Sequence, residues 1–177
     1  MRDRSCGCVC TEHLSSRHDG PVRVSAKVDY ALRASIELAA AQNGSDEPRP
    51  VKAEALARAQ NIPLKFLENI LQGLRQAGLV ESRRGPDGGH QLARPANEIA
   101  LADVIRAIDG PLAGVGGKAP NELEYGGSAE PLRDVWIAVR ASLRRVLEDV
   151  TLADLAGGTV PPHVAELTAD PGAWEKR

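Results

Sequence analysis

Residues 79–93, LVESRRGPDGGHQLA, constrain this chain more than any other stretch: two short apolar runs flank a Gly/Pro/Asp turn carrying paired arginines. Gly85, Gly88 and Gly89 tolerate positive φ, Pro86 presets a turn angle, and Asp87 can bond nearby backbone groups. The segment is therefore expected to be a β-hairpin with a basic tip. Two helical segments separated by a short break run straight into it between Val51 and Ala77. Helix, turn, helix, then basic hairpin is the order of elements in a winged helix-turn-helix unit that grips DNA.

The helices are written in apolar spacing. A first helix is expected from about Ser25 to Gln42, with Val28, Ala31, Leu32, Ser35, Leu38 and Ala39 on one face, before Gly44, Pro48 and Pro50 break the pattern. A second, about Lys52 to Gln60, places Ala53, Leu56 and Ala57 on a narrow apolar face. A third begins near Pro63, where a missing N–H costs nothing, and stops at Gly78. Phe66, Leu67, Ile70, Leu71 and Leu74 form its expected core stripe, and Lys65, Glu68, Asn69, Gln72, Arg75 and Gln76 form a long-armed polar arc opposite. After the hairpin a fourth helix, Ile99 to Ile108, turns Leu101, Val104, Ile105 and Ile108 inward and closes at Gly110 and Pro111.

From Pro131 a long helix repeats Leu132, Val135, Trp136, Val139, Leu143, Val146, Leu147 and Val150 at three and four residues, with Ser128 or Glu130 as its cap. Thr151 followed three residues later by Asp154 resembles a capping box, which predicts one more short helical turn over Thr151 to Ala156. Residues 111–130, rich in Gly and Pro, have no periodicity and are expected to be a mobile linker. Residues 1–21 and 157–177 are expected to be disordered tails. The organisation is thus a winged unit over 22–110, a linker or effector region over 111–130, and a dimerisation helix over 131–156. The fold class is mainly α with a small β-hairpin wing.

Composition agrees with that class. Hydrophobic residues make up 42% of the 177 and aromatics only 3%, so Leu, Val, Ile and Ala must fill the core. No apolar run approaches the roughly 20 residues that cross a bilayer, and a cytoplasmic protein without a membrane partner is expected. The net charge of −2 hides a segregation. Between Arg49 and Arg94 eight bases face four acids, whereas from Pro111 onward seven bases face ten acids. The positive half is the hairpin half, as a phosphate-facing surface requires.

A long apolar stripe beyond a linker has no obvious partner in a small winged domain. Its own copy in a second chain is the natural one, giving a two-fold homodimer on a pseudo-palindromic operator with recognition helices about 34 Å apart. The alternative is that this helix folds back on its own domain. No paired nucleophile and base, phosphate-cradling glycine loop or metal-ligand cluster stands in the expected core, so no enzyme is read here.

Four segments together resemble the Rrf2 family of bacterial winged-helix regulators: VSAKVDYALRA (24–34), IPLKFLENILQGLRQAGLVESRRGPDGGHQLARP (62–95), IALADVIRAIDGP (99–111) and the Trp136 helix ending in TLADL (151–155). The resemblance implies a homodimeric transcription regulator, read here as a repressor, whose third helix enters the major groove while the wing reaches the minor groove. By matching positions Lys65 and Glu68 become the base-edge readers, with Asn69 and Gln72 beside them on the arc. Arg84 with Pro86 occupies the wing tip. Arg83, Lys52, Lys27 and Tyr30 become phosphate contacts.

The departures carry as much. Many family members hold an iron–sulfur cluster through three cysteines between the fourth helix and the long one, but residues 111–130 contain no cysteine. No cofactor or metal is expected, and the signal is expected to be a small molecule or a partner protein acting on the linker and long helix. The tyrosine usual after the wing glycines is His90 here, read as a swap in wing packing. The three cysteines, Cys6, Cys8 and Cys10, have a C-x-C-x-C spacing that matches no strong metal pattern. An alternative function is a winged protein-interaction module without specific DNA binding.

Family members begin M-R-[LV]-[ST], and this chain reads Val22-Arg23-Val24-Ser25 at that point; its 17 arginines against 5 lysines suggest a GC-rich genome in which GTG starts are common. Val22 is therefore expected to be the initiator. Intact-mass analysis of protein expressed from the native gene should show a chain lacking residues 1–21, and recovery of peptides containing Cys6 to Cys10 would overturn this.

Overall fold

Helix α1 (Ala26–Gln42) is the axis on which the other elements pack. It begins where the Ser25 hydroxyl accepts a hydrogen bond from the Val28 N–H at 3.1 Å. Val28, Ala31, Ala34, Ser35, Leu38 and Ala39 are buried along one stripe, and three of these are alanines, which let neighbouring elements approach closely. Leu32, expected inside, is only half-buried, and Ala34 takes the inward position. The computed structural model describes residues 24–42 and 49–175. The expected N-terminal tail with Val22, Cys6, Cys8 and Cys10 lies outside the described residues, as does most of the break after α1.

Against α1 pack α2 (Ala53–Gln60), α3 (Leu64–Gln76), α4 (Leu101–Asp109) and α6 (Leu152–Ala156). The hairpin β1 (Val80–Arg83) and β2 (Gly89–Leu92) pairs antiparallel from Val80↔Leu92 to Arg83↔Gly89. Both helices of the helix-turn-helix end in the same motif. After α2, Asn61 takes a left-handed φ of 51°, and the Ile62 N–H reaches back to the Ala57 carbonyl at 2.9 Å. After α3, Gly78 has φ 71° and the Leu79 N–H bonds the Leu74 carbonyl at 3.0 Å. These 6→1 bonds satisfy carbonyls that a helix end would otherwise leave unpaired, and they bury Ile62 and Leu79 as the chain turns.

The second half of the chain returns to the same core. Leu101 N–H donates to the Val150 carbonyl at 3.0 Å and Leu152 N–H to the Ile99 carbonyl at 2.9 Å, stitching the start of α4 to the start of α6. Thr151 caps α6: its hydroxyl accepts from the Asp154 N–H at 3.2 Å, while the Asp154 carboxylate accepts from the Thr151 N–H at 2.8 Å. Ile99, expected on α4, lies just before it and is buried, while Leu101 and Ile108 lie half-buried against the core.

Several expectations are corrected. Phe66 does not join the core stripe but is 41% exposed, because the inward direction of α3 runs through Leu67, Ile70, Leu71 and Leu74. Val150 is not on the long helix α5 (Leu132–Leu147) but follows it and is only 3% exposed, anchored by its bond to Leu101. No side chain caps α5, so neither Ser128 nor Glu130 plays that part. Residues 111–130, which show no periodicity, bury Leu112, Pro120 and Leu123 and carry short 3₁₀ turns at Pro120–Glu122 and Gly127–Ala129. Single apolar anchors leave no periodic trace in a sequence. Residues 157–175 carry an unexpected helix α7 (Pro162–Ala169), started by a proline at its first position. Its end is closed by a 3₁₀ turn in which the Trp174 indole N–H donates to the Thr168 carbonyl at 2.8 Å.

Candidate nucleic-acid interface

With Leu67, Ile70, Leu71 and Leu74 buried, rotation of α3 about its own axis is fixed, and at 100° per residue Lys65, Asn69, Gln72 and Gln76 must point straight out. Glu68 and Arg75 flank them on one side. All six are exposed. The opposite flank carries Phe66, whose ring meets Tyr30 of α1 edge to face at 5.7 Å between centroids. Tyr30 in turn lies under the Arg33 guanidinium at 4.8 Å. Tyr30 is thus half-buried and supports α3, with only part of its surface free.

Arg33 also secures the turn. Its Nη1 donates to the Gln60 carbonyl at 3.2 Å, capping the end of α2, while Asp29 holds Nε at 3.1 Å. The Gln60 amide reaches back to the Glu37 carboxylate. These contacts lock α1 to the helix-turn-helix, a role the sequence reading did not assign to Arg33 because partners 27 residues apart leave no local signal.

The wing is fixed to the same frame by a third backbone pairing. Val51 N–H donates to the His90 carbonyl and His90 N–H to the Val51 carbonyl, both at 2.8 Å, so the residue leading into α2 extends the hairpin. That approach explains Gly89: a Cβ there would sit 2.6 Å from the Val51 carbonyl oxygen. Lys52 follows Val51 and is therefore set beside the wing, exposed. At the tip, Gly85 has φ 115° and its carbonyl accepts from the Gly88 N–H at 3.0 Å, leaving Arg83, Arg84 and Pro86 exposed. Among the described residues no carboxylate lies within ion-pair distance of Lys27, Lys52, Lys65, Arg83 or Arg84. Lys27 projects from the first turn of α1, exposed.

His90 sits where wing, α2 and α3 converge. Its Nδ1 lies 3.2 Å from the Ser82 hydroxyl across the hairpin. Burial lowers its pKa below the ordinary 6.5 and the positive charge of Arg75 lowers it further, with Glu54 pulling the other way. The ring is therefore held neutral.

The candidate dimerisation residues are arranged differently from the reading surface. No residue of α5 is buried. Val135 is 52% and Leu132 38% exposed, and Trp136, Val139, Leu143, Val146 and Leu147 are half-buried, with the 111–130 segment covering one flank through bonds from Arg133 and Arg140 to Asn121. Val150 stands apart from them in the core.

The sequence pattern of the Rrf2 family, described as iron-dependent transcriptional regulators, matches residues 24–158. The chain belongs to the Rrf2 family. It is similar to Rv1287 of Mycobacterium tuberculosis, whose name places it among HTH-type transcriptional regulators: 52% identical over 154 residues, 87% of this chain and 93% of the relative. The HTH-type transcriptional regulator CymR of Bacillus subtilis is 34% identical over 139 residues, 78% of this chain and 92% of CymR. Solved structures agree in fold. CymR, the global cysteine regulator of B. subtilis, superposes with a TM-score of 0.65, covering 78% of this chain and 99% of that one. T. potens IscR, 29% identical, gives 0.61 over 88% and 93%. This Rrf2 protein is thus a winged-helix, DNA-binding transcriptional regulator, and α3 with the β1–β2 wing is its candidate DNA-reading surface.

Because the folded His90 resists protonation, the unfolded chain takes up the proton first below about pH 6.5. Stability contributed by this site therefore falls as pH drops through 6.5 toward the lower folded value, and is flat above it. Urea midpoints measured at about pH 7.5 and about pH 5.5 should fall for the wild type and fall less for His90→Gln. Equal losses in the two proteins would contradict this.

Proposed function

We propose that this chain acts as a homodimeric, sequence-specific repressor on a pseudo-palindromic operator. The observation that carries the reading is the shared exposure of the α3 polar arc, Lys52 and the arginine wing tip, without intramolecular acidic partners among the described residues. Cations left unneutralised on one face of a winged helix suit a phosphate surface.

On this reading α3 lies in the major groove. Lys65 donates to guanine O6 and N7, Glu68 accepts from cytosine N4, and Asn69 and Gln72 have the amide geometry that pairs with adenine. Arg84 with Pro86 enters the adjacent minor groove, whose narrow, electronegative stretches attract arginine. Lys27, Lys52, Arg83 and the exposed part of Tyr30 contact phosphates and set register. Two copies join through the α5 stripe, in which Leu132, Val135, Trp136, Val139, Leu143, Val146 and Leu147 remain incompletely covered by their own chain. Val150, buried in the core, is left out of that interface.

The three-cysteine iron–sulfur ligation that the resemblance implies does not fit the segment between α4 and α5, because residues 111–130 offer carboxylates and no thiolate. The effector we propose is instead a small molecule or partner protein acting on 111–130 and α5. It can shift the balance between DNA-fitting and non-fitting states only by binding one more tightly.

Arg84→Ala and Lys65→Ala should each weaken operator binding by about 1–3 kcal/mol while leaving the dimer intact. Val139→Asp should dissociate the dimer, since an unpaired carboxylate in an apolar interface is costly. Unchanged affinity in both contact variants would favour a protein-interaction module over a DNA reader. A persistent dimer in Val139→Asp by sedimentation would move the interface elsewhere.

A further inference from the structure

A continuous chain of charges runs from the base of the wing to the end of α5. Arg94, two residues beyond β2, lies 3.7 Å from Asp103 Oδ2; Asp103 Oδ1 lies 3.6 Å from Arg106 Nη1; Arg106 Nη2 pairs with Glu148; and Glu148 lies 3.5 Å from Arg144 Nε. Asp103 also accepts from the Ala100 N–H at 3.3 Å, so it is held at the start of α4. This line of five side chains follows the backbone seam where Ile99–Leu101 pairs with Val150–Leu152. Backbone and side chains thus make the same connection twice.

The position of that connection matters more than its strength. Val150 and Leu152 are buried, so the C-terminal end of α5 is pinned to the DNA-reading unit, while its N-terminal half is tied to the 111–130 segment, where Arg133 and Arg140 donate to Asn121. A helix of 16 residues is about 24 Å long, so a tilt of about 5° at the pinned end carries the far end through about 2 Å. Arg106 and Glu148 clasp at the pinned end, two residues from Val150. The pair therefore sits at the fulcrum of a long arm.

We propose that Arg106, through Glu148, is a positioning residue that sets the angle of α5 against the winged unit and thereby selects which half-site spacing the dimer accepts. Neither residue belongs to the α3 arc or the wing tip, and both are a third or more exposed, so their role is geometric. Any tilt of α5 is doubled by the two-fold axis into a change in the separation of the two reading heads. The proposal rests on the homodimeric DNA-binding reading above.

The test uses the full chain and its Arg106→Gln, Glu148→Gln, doubly substituted and Arg106→Lys forms. Affinity is measured for a footprinted operator and for versions with half-sites moved one base pair closer or farther. Each Gln variant should remain dimeric and keep its affinity for an isolated half-site, but lose about fivefold of its discrimination between spacings. The double variant should lose no more than either single one, and Arg106→Lys should retain part of the preference. A spacing profile identical to wild type, or a uniform loss across all spacings, would overturn the proposal. Amide exchange without DNA gives an independent reading: the Leu101 and Leu152 N–H groups should exchange faster in Arg106→Gln. If wild-type protein bound no operator, the functional reading would fall, while unchanged exchange at those amides would separately overturn the clasp.

Discussion

The burial of Leu67, Ile70, Leu71 and Leu74, each at or below 1% exposure, decides what the rest of this molecule can do. A helix of 13 residues has little preference for one rotation about its axis until one stripe is taken out of water. Truncating any of these four side chains to alanine leaves a cavity and costs about 2–5 kcal/mol, a large share of a small domain's stability. Once the four are seated against α1 and α4, the polar arc of α3 has a single direction to face. Recognition is the outward side of a packing decision made on the inward side.

The wing obeys a second constraint of the same kind. A two-stranded hairpin is marginal alone in water, and here it is held by Val51 pairing along its edge and by the Val80 and Leu92 side chains reaching the core. The absence of a Cβ at Gly89 permits the first, and the register that sets Val80 directly opposite Leu92 puts both on one face for the second. Lys52, Arg83 and Arg84 consequently belong to one surface with α3, even though Lys52 leads into α2 and the two arginines come from the hairpin.

Much of this was legible in the residues because it is periodic or punctuated. The stripes of α1 and α3, the Gly78 stop, the Gly/Pro/Asp turn and the Thr151–Asp154 box all write themselves as fixed spacings. What failed lacked spacing. Phe66 sits one residue from Leu67 and looks equally apolar, but the burial direction puts it at the flank against Tyr30. Val150 continues the α5 stripe in register, yet the backbone bond to Leu101 draws it out of that helix and into the core. Leu112, Pro120 and Leu123 are buried singly within the 111–130 segment, and α7 depends on long-range ties such as His163 to the Arg145 carbonyl at 3.0 Å. The Arg106–Glu148 pair, 42 residues apart, was equally invisible.

The most direct trial of this account is selection of genomic DNA fragments by purified full-length protein across a range of salt, followed by footprinting of what is retained. The account predicts enrichment of a pseudo-palindromic sequence protected in two halves about one helical turn, or about 34 Å, apart. Retention of all fragments alike at every ionic strength, with affinity falling in step with salt and no protected sequence, would contradict it.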